Sequence, residues 1–152
     1  MTPEHFTFMQ GFLKERSGLV LGNDKGYLLE SRLTPIARRH DIKDLDELVA
    51  KAMSAPTEAL LVDITEAMTT NESIFFRDQK PFDLFENHVL PHLLEHRAFT
   101  KAFRIWSAAA SSGQESYSLA MILKEQAAKI PGWRTEIFGT DLSSEIIRKA
   151  EN

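Results

Sequence analysis

Through the first 68 positions apolar residues recur at helical spacing, and near residue 103 the pattern changes to the alternation of a strand. Thr2-Pro3-Glu4 reads as a helix start, with threonine as the cap and proline in the first turn. Phe6, Met9, Phe12 and Leu13 form the apolar face behind it, and Ser17-Gly18 ends the run. Asn23-Asp24 opens a second helix that turns Tyr27, Leu28, Leu33 and Ile36 inward, with a bend expected at Thr34-Pro35. Asp44-Leu-Asp-Glu47 is a capping box for a third helix carrying Leu45, Leu48, Val49 and Ala52. Ser54-Ala-Pro56 is expected to open a fourth, with Leu60, Leu61, Ile64, Ala67 and Met68. Phe82, Leu84, Phe85, Val89, Leu90 and Leu93 mark a further helix or helix pair as far as Arg97, interrupted at Pro91. Only two strand signals follow: Phe103, Ile105 and Trp106, then the alternating Thr135–Asp141.

This order predicts an α+β chain. A small all-α bundle over 1–68 is followed by a linker and helical approach over 69–101. Residues 102–152 then form the first half of a doubly wound α/β domain. A doubly wound sheet needs about five strands, and the sequence stops inside the helix after the second. The expectation is a fragment, or a protein that completes its sheet by associating with another chain.

Composition narrows the class without naming a function. The 152 residues are 43% hydrophobic and 26% charged, with 18 basic against 22 acidic side chains, as expected of a soluble globular protein. The net charge of −4 gives no general attraction to nucleic acid or to an anionic membrane. With no cysteine, disulfides, thiolate catalysis and cysteine-bound zinc are excluded. No stretch approaches the roughly 20 apolar residues of a membrane span, nor does the N-terminus have a signal-peptide pattern, so the cytoplasm is the expected compartment.

The chemistry concentrates where the first strand gives way to a helix. After Ser107-Ala108 come Ala109, Ala110, Ser111, Ser112 and Gly113, five residues with almost no side chain, before Leu119, Met121 and Leu123 begin a helical pattern reaching about Ala128. Strand, small-residue turn, helix is the first crossover of a doubly wound sheet, where ligands sit beyond the carboxyl ends of the strands. Neither G-x-G-x-x-G nor G-x-x-x-x-G-K-[ST] is present. The helix opens instead with Gln114-Glu115, and a carboxylate there repels phosphate at a place otherwise suited to anions. A nucleoside with a cationic amino-acid tail suits it better, and S-adenosylmethionine is the common one. At the tip of the second strand Asp141 stands where such folds hold ribose hydroxyls. Two plainer readings stay open: alanine and serine allowing close helix–strand packing, and Asp141 capping the helix that starts at Leu142-Ser143-Ser144-Glu145.

Two other patterns carry candidate chemistry. Lys25, Arg32 and Arg39 recur every seven residues and are joined by Arg38, giving 25–39 a net charge of +3. This is a solvated helix face, or a surface that docks an acidic partner, protein rather than nucleic acid. His88, His92 and His96 share a spacing able to hold zinc, but Pro91 bends the helix between the first two and no carboxylate completes a site, so no metal is expected. In Thr69–Phe82 the adjacent Phe75 and Phe76 cannot both face one core, which leaves one for a ligand or a neighbouring domain.

Taken together, Thr69-Thr-Asn-Glu-Ser-Ile-Phe-Phe-Arg-Asp78, Trp106-Ser-Ala-Ala-Ala-Ser-Ser-Gly-Gln-Glu-Ser-Tyr-Ser-Leu-Ala120 and Gly139-Thr-Asp-Leu-Ser143 resemble the CheR family of chemotaxis-receptor methyltransferases. The order and spacing match, as does the small helical domain in front. The resemblance implies transfer of a methyl group from S-adenosylmethionine to receptor glutamates, leaving S-adenosylhomocysteine. It places cofactor contacts on Asn71, Ser73, Arg77, Glu115 and Asp141, with Glu115 at the methionine amino group, Asp141 at the ribose and Arg77 near the methyl-transfer site. The stripe of Lys25, Arg32, Arg38 and Arg39 corresponds to the face that meets the cytoplasmic helical bundle of the receptor. Here Ser73 stands where members often have threonine, and Gln114 and Ser116 replace the usual Glu and Pro around Glu115. A non-catalytic helical module docking an acidic helical partner is the competing class.

Overall fold

The computed structural model describes residues 1–152 and divides them into two compact units, Met1–Thr70 and Asn71–Asn152.

Four helices make the first unit: α1 (Pro3–Ser17), α2 (Gly26–Arg39), α3 (Leu45–Ser54) and α4 (Glu58–Met68). Local chemistry sets their ends. The Thr2 hydroxyl accepts the His5 amide at 3.2 Å, and Gly18 closes α1 in the left-handed conformation at φ 74°. Asp44 caps α3 by accepting the Glu47 amide at 2.9 Å, while the Glu47 carboxylate reaches back to the Lys43 amide at 3.2 Å. The start of α4 differs from expectation. Ser54 is the last residue of α3, its hydroxyl bonded to the Ala50 carbonyl at 2.8 Å, and Thr57 caps α4 through the Leu60 amide at 3.3 Å. Nor does Asn23-Asp24 cap α2, which begins at Gly26 with no side-chain cap. The inward faces enclose one apolar core in which Met9, Leu13, Leu29, Leu33, Leu48, Val49 and Ile64 are wholly shielded from solvent.

The second unit starts with an irregular segment and then α5 (Lys80–Leu84), a π-helical turn (Phe85–Val89) and α6 (Leu90–His96). The sequence places a break at Pro91; the structure carries the helix through by widening it. Pro91 lacks an N–H and would crowd an α-helical carbonyl, so the preceding turn opens until Leu90 donates to the Phe85 carbonyl, five residues back. Strand β1 (Ala102–Ala108) runs parallel to β2 (Arg134–Thr140), with Ile105 opposite Ile137 and Ser107 opposite Gly139. Helix α7 (Gln114–Glu125) forms the crossover, and α8 (Ser144–Ala150) follows β2. One sheet face buries Phe103 in a core with Phe82, Phe85, Leu90, Leu119, Ile122 and Leu123, and Ser107 is buried on the same strand. The other is bare: Trp106 and Phe138 lie parallel with ring centroids 6.3 Å apart and are 62% and 42% exposed. No helix is long and apolar enough to cross a membrane.

Candidate functional site

Parallel pairing brings the carboxyl ends of β1 and β2 to the same side, and the turns leaving them are bonded together. The Ala110 amide donates to the Thr140 carbonyl at 2.9 Å, prolonging the ladder past β1. Two glycines make this approach feasible. At Gly139 a Cβ would lie 2.7 Å from the Ala110 methyl group; at Gly113, where φ is +93°, it would lie 2.9 Å from the Tyr117 ring. Ala109 and Ser111 are also left-handed, at φ 60° and 51°, a conformation costing non-glycine residues about 1 kcal/mol each.

Both acidic candidates sit at this edge, each held by a serine. Glu115, in the first turn of α7, accepts a hydrogen bond from the Ser107 hydroxyl at 2.7 Å. Ser107 is 1% exposed, whereas Glu115 is exposed, so the carboxylate is anchored from below and open above. Asp141 is half-buried, with one carboxylate oxygen accepting the Ser111 amide at 2.8 Å and the other the Ser143 amide at 2.9 Å. The cap of α8 is Ser143, through the Ile146 amide at 3.3 Å, and not Asp141. Asp141 thus ties the two turns together and keeps a second lone pair on each oxygen for hydroxyl donors.

This arrangement selects ligand charge. The Ser111 N–H in the turn, a natural phosphate donor, is already engaged by the chain's own carboxylate. With Glu115 beside it, the edge is acidic and suited to a ligand with a positive group and hydroxyls. An S-adenosylmethionine tail and ribose fit that donor set; a pyrophosphate does not.

Asn71 joins the same network, since the Ser111 hydroxyl donates to its carbonyl at 2.8 Å. Ser73 is half-buried on the segment that follows. Arg77 is exposed, its guanidinium donating to the Glu72 carbonyl at 3.2 Å. Of the adjacent aromatics, Phe76 packs edge-on against Phe82 at 5.3 Å while Phe75 is 52% exposed. A separate hollow of about 400 Å³ lies between α7, β2 and α8, lined by Ala110, Ser116, Tyr117, Ile137 and Ile147, and none of the five candidates lines it. The Ser116 hydroxyl is buried without a partner.

In the first unit the four basic residues on and just before α2 have different surroundings. The Arg32 guanidinium donates to the Met68 and Thr69 carbonyls at 2.8 and 2.9 Å, closing the end of α4. Lys25 pairs with Asp24 at 3.1 Å, and Arg39 with Asp63 at 3.4 Å. Arg38 is exposed and lines a polar hollow of about 570 Å³ with Glu30, Lys43 and Asp44. His92 and His96 stack with centroids 3.9 Å apart, and nowhere do three or more His, Asp or Glu side chains gather as a metal would require.

Sequence reasoning took Ser111 only as part of the small-residue turn and gave Ser107 and Ser118 no role. A signal was available for Ser118, which lies on the apolar stripe of α7 beside Leu119 and Ile122, where a hydroxyl must find a partner.

Family models match both units of the chain. Residues 71–152 match the CheR methyltransferase SAM-binding domain, and residues 4–69 match the CheR methyltransferase all-alpha domain. The chain belongs to the CheR methyltransferase family. It is 38% identical over 138 residues to chemotaxis protein methyltransferase 1 of Vibrio cholerae, covering 90% of this chain and 49% of that protein. It is 39% identical over 149 residues to chemotaxis protein methyltransferase 1 of Pseudomonas aeruginosa, covering 96% and 54%. With the chemotaxis protein methyltransferase of Escherichia coli it shares 30% over 156 residues, covering 100% and 50%. The chain spans about half the length of the relatives it matches.

Proposed function

We propose that this chain holds the methyl-donor side of a cytoplasmic, S-adenosylmethionine-dependent methyltransferase acting on glutamate side chains of chemoreceptor helices. The observation that carries the reading is the pair of serine-held carboxylates, Glu115 and Asp141, at the carboxyl ends of adjacent parallel strands. Glu115 would hold the donor's amino group and Asp141 its ribose hydroxyls, with Asn71, Ser73 and Arg77 contacting the donor from the facing segment. When bound, S-adenosylmethionine supplies a methyl group already activated by its sulfonium. A receptor glutamate, with a pKa near ~4.3, is ionised at neutral pH, so the chain needs no general base. Its task is alignment and exclusion of water, because opposite charges cancel as the groups meet and a dry site favours that. Arg77 orients the incoming carboxylate; a tight bidentate pair would blunt the nucleophile, so a single, loose contact serves better. The basic face of α2 is assigned to docking an acidic helical partner, led by Arg38, which makes no ion pair within the chain.

Titration calorimetry with S-adenosylhomocysteine tests the donor site. Glu115→Gln and Asp141→Asn should each weaken binding by ~1–3 kcal/mol, the loss of a charge-assisted hydrogen bond. Affinity unchanged in both variants would overturn the assignment.

A further inference from the structure

Two buried hydroxyls fasten residues 71–77 to the elements bearing Glu115 and Asp141. Ser118, on α7, is 0% exposed. It donates its single proton to the Gln114 carbonyl at 2.7 Å, leaving its lone pairs to accept the Phe76 amide at 3.0 Å. The first bond alone would satisfy the donor; the second reaches 42 residues back along the chain. Phe76 needs the anchor, because its φ is +52°, an outlier for a bulky side chain. Asp78 and Gln79 are left-handed too, at φ 62° and 42°. Arg77 lies between these residues, so relaxation at Phe76 would rotate it. At the other end, Ser111 is 8% exposed; its hydroxyl holds the Asn71 carbonyl at 2.8 Å while its amide holds Asp141 at the same distance.

We propose that Ser111 and Ser118 are positioning residues for the methyl-donor site. Their hydroxyls pin the segment 71–77 at both ends, so that Asn71, Ser73 and Arg77 keep a fixed register with Glu115 and Asp141. The inference rests on the donor-site reading above and adds the two hydroxyls through which that site is held together.

The experiment is S-adenosylhomocysteine calorimetry on the whole chain, with thermal melting of every variant. Ser111→Ala and Ser118→Ala should each weaken binding about five- to tenfold, with melting temperatures within a few degrees of the parent. The effects should be non-additive: Ser111→Ala should cost less than about twofold in an Asn71→Ala background, and Ser118→Ala likewise in Arg77→Ala. Ser118→Thr, which keeps the hydroxyl, should restore affinity; should the extra methyl group unfold it, Ser118→Cys takes its place. If Glu115→Gln weakens binding but neither serine variant does, the donor site stands and the positioning role is overturned. Losses that add fully to Asn71→Ala and Arg77→Ala, or that track a large fall in melting temperature, assign the serines to packing and overturn it too. No binding by the parent chain, or binding indifferent to both Glu115→Gln and Asp141→Asn, removes the donor site and this inference together.

Discussion

The two units handle polar groups and strain in opposite ways. In Met1–Thr70 the helix ends are capped mainly by short local bonds, and the interior is apolar apart from Thr65, whose hydroxyl bonds back to the Leu61 carbonyl at 2.7 Å. Asp41 is its one non-glycine residue in the left-handed region. In Asn71–Asn152 four serines are buried, and Phe76, Asp78, Gln79, Lys101, Ala109 and Ser111 all adopt positive φ. Such strain persists where surrounding bonds over-determine it, and it gathers at functional sites. The first unit is built for cohesion; the second gives up some cohesion to hold a constellation of polar groups.

The largest expected effect lies in the cohesive unit. Leu33 is fully buried, and Leu33→Ala should destabilise by ~2–5 kcal/mol, the transfer cost plus the cavity, read by denaturant unfolding. A loss below ~1 kcal/mol would show that the helical core collapses around the gap and is less tightly packed than its burial implies.

A change of opposite sign is expected in the second unit. Ser116 leaves a buried hydroxyl unbonded in the first turn of α7, so Ser116→Ala should stabilise by about 1 kcal/mol. A higher melting temperature with unchanged S-adenosylhomocysteine affinity would separate this hydroxyl from the serines that hold the site. Destabilisation would mean that the hydroxyl is bonded, and that the two units differ less in how they treat buried polar groups.

The smallest effect concerns acid. Asp46 binds the His5 ring at 2.7 Å and the N-terminal ammonium at 3.2 Å, and these partners, His5 foremost, hold its carboxyl below the usual range. Since the folded pKa is the lower one, its contribution is fully present above the ordinary carboxylate value, near pH 4, and is lost as pH falls through the folded value. Asp46→Asn should therefore lower stability slightly at neutral pH and flatten the acid limb of the curve, the two proteins converging once the carboxyl is protonated. An unchanged acid limb would remove the pair from the first unit's stability.

The helices of the first unit were legible because amphipathic spacing and Thr2, Gly18 and Asp44 each act locally. The start of α4 was misread because Ser54, Pro56 and Thr57 all carry start signals, and only the Leu60 amide shows which hydroxyl is used. Pro91 was read as a break because its missing N–H is a local fact, whereas the widened turn ahead of it depends on how that turn packs. At the site, Glu115 and Asp141 stood out by charge at the ends of recognisable elements. The serine contacts did not, because they join residues 30, 40 and 42 positions apart, and no spacing rule reaches that far.

The narrow gap at Gly139 ties two sequence positions to one another. A single carbon added there would collide with the Ala110 methyl group at 2.7 Å. A lineage in which position 139 becomes alanine must therefore give up the methyl group at position 110 in the same step, or let the two loops drift apart. Because Ser111 and Asp141 ride on those loops, drift would first lengthen the bond between them, well before any strand is lost.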